Sequence, residues 1–403
     1  MPEAVRPLGQ SSVQGVSESS PIAPVVVSRS LRERWCAWRD RQIASRRFQR
    51  WAARFPLTRP IAQRRASKLF DLVAGFVYSQ TLLACLQLKL FEILAEGPQT
   101  TAALAPRLVL GEDACGRLLA AAASLELVER RGDRWGLGPL GAPLVGDIAI
   151  TAMVEHHAAL YADLRDPVAL LRGEPGRSAL ADCWPYAGAE SPDALDAGRV
   201  GEYSVLMSAS QPMVSDEVLD AYPLGRHRCL LDVGGGEGTF LRAVAARAPH
   251  LQLMMFDLPA VADRARERLL EAGLSGRAQA HGGSFWSDPL PRGADIATLV
   301  RVCFDHDDAG VLRILRRVRQ ALPEDGTLLL AEPMSETPGA EAMGSAYFGF
   351  YLMAMGRGRP RSAERHRALL EASGFERVRL LRNPMPLYTR VLVAQCAPGH
   401  RDV

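Results

Sequence analysis

A chain of 403 residues with 48% hydrophobic content and a formal charge of +3 has the size for two domains and the composition of an ordinary folded protein. Seven cysteines, odd in number, scattered and never spaced C-x-x-C, argue against a disulfide framework and a structural zinc and fit a reducing cytosol. The charge is uneven: Arg29 to Lys68 holds thirteen Lys/Arg against Glu33 and Asp40, which leaves the rest slightly acidic.

Residues 1–28 are rich in Ser, Pro, Gln and Gly and read as a disordered tail, without the charged-then-apolar pattern of a signal. A basic aromatic arm, 29–68, follows. Trp35 and Trp38 share a helical face with Leu31, and Phe48, Trp51 and Phe55 share another. At ~100° per residue these faces point nearly opposite ways. Two short helices breaking near Ala44–Ser45 are therefore predicted, stopped by Pro56 and Pro60. Two roles stay open for the arm: packing on the domain or a partner subunit, or touching anionic lipid as an interfacial element.

Residues 69–147 read as a winged-helix-like domain. Leu69–Ala95 is apolar and long enough for two helices. Gly75, Ser79 and Gln80 punctuate it, and no run approaches the ~18–20 apolar residues of a membrane span. Thr100–Pro106 and Glu112–Ala123 follow as short helices, and Val128–Leu140 as a hairpin turning at Arg131–Gly132–Asp133. The helix that would read DNA, Asp113–Ser124, carries only Arg117, so nucleic acid is not an expected partner.

Residues 148–196 form a helical connector. Ile148–Leu171 carries the adjacent His156 and His157, which point ~100° apart on a helix and make no chelating pair. No metal is expected; a pocket wall or plain core suits them better. Gly173–Ala197 is Gly/Pro/Asp-rich and reads as a linker. The α/β domain, 197–397, shows strands near Leu230, Met254, Ala280, Ile296, Leu328, Val378 and Val391, with helices between the first five. The last two suit a hairpin added to an otherwise parallel sheet.

The chemistry collects at the strand ends. CLLDVGGGEGTF, Cys229–Phe240, reads as a buried strand, a glycine turn and a helix start. MMFDLP follows, and its Asp257 at a second strand tip can take both hydroxyls of a ribose. The glycines run Gly234-x-Gly236-x-Gly238 with Thr239 where a dinucleotide fold wants Gly or Ala, and Glu237 would repel a pyrophosphate but tolerate a sulfonium. Gly283, Ser284 and Phe285, ending the third strand, are positioned for an adenine. The fourth strand ends in LVRVCFDHDD and the fifth in LLLAEPM, where substrate and cofactor should meet.

With its helical amino-terminal part, DVGGGEG, FDLP, GGSF, RVCFDHDD and AEPM, the chain from about Leu69 to Ala397 resembles the O-methyltransferases that include the plant phenolic and acetylserotonin enzymes. RFQRWAARFPLTRP, LFDLVAGFVYSQTLLAC and YFGFYLMAMGRGRPRS are similar to the hydroxyneurosporene/demethylspheroidene subgroup of purple-bacterial carotenoid synthesis. The resemblance implies a seven-stranded Rossmann-like S-adenosylmethionine (SAM) methyltransferase domain and a homodimer with intertwined helices. It also implies methylation of the tertiary 1-hydroxyl of an acyclic carotenoid. By the same carry-over Gly234, Gly236 and Asp257 bind SAM, Gly283, Ser284 and Phe285 flank its adenine, and Arg301 lies near it.

Phe304 stands where the broader family has its general-base histidine, and Pro360 where it has a second acid; Glu332 keeps the family's catalytic acid. The phenol-type base mechanism therefore does not transfer. The remaining candidates for a proton acceptor are His306, which also reads as structural, Asp305, and Glu332 acting directly or through water. Tyr203, Met207, Phe304, Met343 and Tyr347 are the candidate lining for a long apolar acceptor. The expected location is the cytoplasm, with peripheral contact to the membrane that dissolves such a substrate. A phenolic or polyketide O-methyltransferase and a non-catalytic SAM-binding regulator are the competing readings.

Overall fold

The computed structural model describes residues 30–173, 178–183 and 210–398. The expected tail at 1–28, most of the Gly173–Ala197 linker, and two expected pocket residues, Tyr203 and Met207, lie outside the described residues. The chain divides into two compact units at Ser79.

The first unit is helical. Helix α1 (Leu31–Ala44) opens on a capping box in which Ser30 and Glu33 satisfy each other's backbone N–H groups. It breaks at Ser45, as the opposed aromatic faces require, and α2 (Arg46–Arg54) follows. Pro56 comes just after α2, but Pro60 does not stop a helix: it sits at the start of α3 (Arg59–Gln87), where a missing N–H costs nothing. Helix α3 runs unbroken through Lys68–Leu69, so the expected boundary between arm and domain does not fall at an element end. Gly75 and Ser79 are tolerated inside it, and the Ser79 hydroxyl donates back to the Gly75 carbonyl. Among the described residues α3 alone is long and apolar enough, with mean hydropathy 1.6 in its most apolar stretch, to cross a membrane by length and composition. Gly75, Ser79 and Gln80 punctuate that stretch, and length and composition alone do not make it a span.

In the second unit the chain reverses at Lys89, in left-handed backbone (φ 54°), into α4 (Leu90–Ala95). Strand β1 (Gln99–Thr100), α5 (Thr101–Arg107), α6 (Glu112–Ser124), β2 (Val128–Arg131) and β3 (Arg134–Leu137) complete a small domain with sheet order β1-β3-β2. The hairpin β2–β3 falls where expected; β1, two residues long, has no period to reveal it. Leu90, Phe91, Leu104, Cys115 and Leu119 form a solvent-free core. Phe91→Ala is expected to cost about 3–5 kcal/mol by opening a cavity there, read as a lower midpoint in denaturant unfolding. The connector is α7 (Ile148–Asp163), α8 (Pro167–Arg172) and α9 (Ala179–Cys183). The single helix expected over 148–171 is broken before Asp166, whose carboxylate caps α8. The Asp163 carboxylate accepts from the backbone N–H groups of Ala179 and Leu180 and so ties α9 to α7.

Seven strands form the α/β sheet: β4 (Cys229–Val233), β5 (Gln252–Asp257), β6 (Ala278–Gly282), β7 (Ile296–Val300), β8 (Thr327–Glu332), β9 (Phe375–Leu380) and β10 (Arg390–Cys396). All seven lie where the apolar runs placed them. The order is β6-β5-β4-β7-β8-β10-β9, parallel except for β10, which runs antiparallel between β8 and β9. Helix α10 (210–221), α11 (Thr239–Arg247), α12 (Pro259–Glu271), α13 (Asp308–Ala321), α14 (Phe348–Ala354, entered through a π-helical turn at Ala342–Tyr347) and α15 (Ala363–Glu371) accompany it. One expected helix is replaced: β6 and β7 are joined by a turn and an extended stretch, because Pro289, Pro291 and Gly293 cannot sustain a helix. Strand order reverses between β4 and β7, so their carboxyl ends open the crevice where an α/β sheet binds its ligands.

Candidate active site

Two groups of residues meet at that crevice. The first is a glycine cradle. Gly234, Gly236 and Gly238 all have left-handed backbone (φ 73°, 58° and 77°). A Cβ on Gly234 would stand 2.7 Å from a Val302 methyl, whereas nothing lies within 4 Å of one on Gly236. The loop is thus packed on one side and open on the other, the shape a nucleoside needs. Asp257 holds it there: Gly236 N–H donates to Oδ2 (2.8 Å) and Leu258 N–H to Oδ1 (2.7 Å). The Asp257 carbonyl also takes the Gly283 N–H at 2.9 Å, so the expected ribose and adenine segments are joined through one residue. Burial raises the Asp257 carboxyl, and the two N–H groups pull it back. Each oxygen keeps a lone pair for a further donor.

Beneath the cradle lies Asp232, 1% exposed. Its Oδ1 accepts from the Thr298 hydroxyl at 2.6 Å and its Oδ2 has no partner. Burial pushes it up to about 7. Glu237, the loop acid that would tolerate a sulfonium, pairs with Arg264 of α12 at 3.1 Å. Ser284 is buried; its N–H donates to Asp288 (2.8 Å) and its hydroxyl accepts from the Trp286 N–H (3.3 Å).

The second group follows β7 and β8. Glu332, fully buried, accepts the N–H groups of Val302 (3.0 Å) and Cys303 (2.6 Å) on Oε1, while Oε2 has no partner. Burial pushes its carboxyl up to about 8, against the pull of the two N–H groups, Arg361 and Arg301. Asp305 also has an orphaned buried oxygen, Oδ1, and burial together with the Glu332 charge raises it well above the carboxylate range. A charge on Glu332 thus disfavours a second charge on Asp305. Arg301 stabilises both ionised forms; its own backbone is left-handed (φ 58°), and its Nη1 donates to the Ser210 hydroxyl at 2.8 Å.

His306 links the groups. Its ring meets Phe285 (5.5 Å) and Trp286 (5.2 Å) edge-on. Burial and the cations Arg361 and Arg357 hold it down to about 4. Phe304, 6% exposed, belongs to another apolar cluster with Leu160, Leu180, Tyr351 and Leu352, and meets Phe348 at 6.1 Å. Tyr347 packs against the same cluster, while Met343 lies half-buried one turn earlier.

Three participants escape the sequence pattern. His156 and His157, placed as wall or core, bond the hydroxyls of Tyr351 (2.9 Å) and Tyr347 (2.7 Å) and so fasten α7 to the edge of this aromatic cluster. Arg361, 2% exposed, donates to the carbonyls of Cys303 (2.9 Å) and His306 (2.6 Å) and pairs with Asp308 (2.7 Å), fixing the loop that carries Phe304 to His306. In the run GRGRPRS nothing marks this arginine as the buried one. Among the described residues no group of three His, Cys, Asp or Glu side chains could hold a metal ion.

Residues 161–376 match the O-methyltransferase domain, and residues 70–147 the O-methyltransferase dimerisation domain. The chain is 45% identical to demethylspheroidene O-methyltransferase of Cereibacter sphaeroides over 88% of its own length and 93% of the relative's. It is 31% identical to mouse acetylserotonin O-methyltransferase, covering 83% of this chain and 90% of that one. The mitomycin 7-O-methyltransferase structure superposes with a TM-score of 0.66 at 26% identity, covering 84% of this chain and all of that one. The calicheamicin-biosynthesis methyltransferase CalO1, solved in its SAH-bound form, gives 0.69 at 26% identity, covering 83% and 99%.

Proposed function

The chain belongs to the family of SAM-dependent O-methyltransferases, and from that premise we propose that it methylates the tertiary 1-hydroxyl of an acyclic carotenoid. The observation that carries this reading is Phe304. Where the broader family places a base for phenols, this chain has an apolar ring packed among Phe348, Tyr351 and Leu352. That wall suits a polyene and offers nothing to a phenolic proton. The likeness to demethylspheroidene O-methyltransferase supports the same acceptor class.

The cradle residues fit SAM: Gly234 and Gly236 for backbone approach, Asp257 for the ribose hydroxyls, and Gly283, Ser284 and Phe285 around the adenine. When bound, SAM supplies an electrophilic methyl on a sulfonium. The protein's part is to hold the acceptor oxygen in line and accept its proton. A tertiary alcohol is too weak an acid to ionise first, so its proton leaves late and a modest acceptor suffices. Glu332 Oε2 is our acceptor, since Oε1 is committed to two backbone N–H groups; Arg301 favours the ionised form that takes the proton, and the carboxyl is neutral once it has done so. His306 then serves as a wall for Phe285. The dimerisation domain supports a homodimer.

The test offers the purified protein methyl-labelled SAM with a detergent-dispersed 1-hydroxy acyclic carotenoid, and a catechol in parallel. Label in the methoxy carotenoid alone is the expected result. Label in the catechol alone would overturn the acceptor and the role of Phe304. SAM binding without transfer to either would favour a regulator.

A further inference from the structure

We propose that the arm formed by α1, α2 and the start of α3 is a docking surface for an anionic lipid bilayer. Its charge is nearly all of one sign, thirteen Lys/Arg between Arg29 and Lys68 against two acids. Both acids are engaged within the arm: Glu33 closes the cap of α1 with the Ser30 N–H (2.8 Å), and Asp40 pairs with Arg39 (2.7 Å). The surplus of positive charge is therefore presented outward.

Helix α2 sets that charge beside apolar surface. Arg47, Arg50 and Arg54 line an open groove with Trp51, Phe55 and Pro56. The rings of Trp51 and Phe55 stack at 5.1 Å and 13°, and they remain 51% and 40% exposed. Leu57 (79% exposed) and Ile61 (53% exposed) continue the apolar surface into α3. Guanidinium groups around exposed Trp, Phe and Leu form the pattern of an interfacial helix, in which rings sit at the headgroup boundary and cations meet anionic phosphates.

Other occupants fit less well. A second copy of the arm would set thirteen cations against thirteen. A nucleic acid would meet the arginines but leave Leu57 and Ile61 without an apolar partner. A bilayer satisfies both. The proposal does not depend on which acceptor is methylated, because it is tested on vesicles that contain none.

The experiment floats the full chain with vesicles of phosphatidylcholine alone and of phosphatidylcholine with phosphatidylglycerol, at low and high salt. Partition is expected to need phosphatidylglycerol and to fall as salt rises. The variant R47Q/R50Q/R54Q should lower partition roughly a hundredfold, about fivefold per cation lost. W51A/F55A should weaken binding while leaving its salt dependence in place. Retained SAM binding together with an unchanged helical circular-dichroism signal shows that each variant is folded, the arm included. Equal partition to both vesicle types, or partition unchanged in the triple variant, would overturn the proposal. So would a change in sedimentation mass of the triple variant without loss of vesicle binding, which would make this face a subunit contact.

Discussion

Glu332→Gln is expected to lower kcat by roughly 10²–10⁴, the usual worth of a positioned proton acceptor, with the affinity for SAM unchanged. The substitution is well posed because the two oxygens of Glu332 have different duties. Oε1 accepts from Val302 and Cys303, a role a glutamine carbonyl can keep. Oε2 has no protein partner, so the amide nitrogen replaces the atom assigned to the chemistry and disturbs little else. The pH profile supplies a second readout. With its carboxyl pushed up to about 8, wild-type turnover should rise with pH through that value as the accepting form appears, and the variant should lose this limb. Stability runs the other way. The folded state holds a proton that the unfolded chain releases at lower pH, so Glu332 costs stability as pH rises through about 8. The variant should therefore gain on the wild type in alkaline denaturant titrations. Unchanged kcat would move the proton to Asp305 or to a water.

Asp257→Ala should raise the dissociation constant for SAM by roughly 10²–10⁴, as two hydrogen bonds to a charged group at about 1.5–3 kcal/mol each would give. The same carboxylate anchors the Gly236 N–H, so the variant loses the ligand contact and the shape of the loop together. Calorimetric titration with SAM measures the loss. An unaltered affinity would mean that the nucleoside lies elsewhere in the crevice.

The sheet was legible because buried strands leave continuous apolar runs, and Leu230–Val233 or Leu328–Ala331 can hardly be anything else. The break at Ser45 was legible because two aromatic faces cannot serve one helix. The continuity of α3 was not, since Pro60 reads as a stop unless the next helix is known to begin there. The cradle could be read from its glycines, whose conformations depend on local sequence. The orphaned oxygens of Asp232, Asp305 and Glu332 could not, because burial and partners come from residues distant in the chain. The arginine that fixes the Phe304–His306 loop was hidden for the same reason.

The position of β10 has a consequence for how the enzyme comes into being. Last of the strands in chain order, it lies inside the sheet, and its Arg390 stands opposite Glu332 in the register with β8. A growing chain can assemble β4 to β8 while still attached to the ribosome, but the flank of β8 stays bare until residues 390–396 have emerged. Long-range pairing of this kind is slow and leaves a sticky strand edge in the meantime. The carboxylate assigned to catalysis is thus among the last parts of the domain to be enclosed. Shortened chains that lack β10 should accumulate as chaperone-bound or aggregated material rather than as a weaker enzyme.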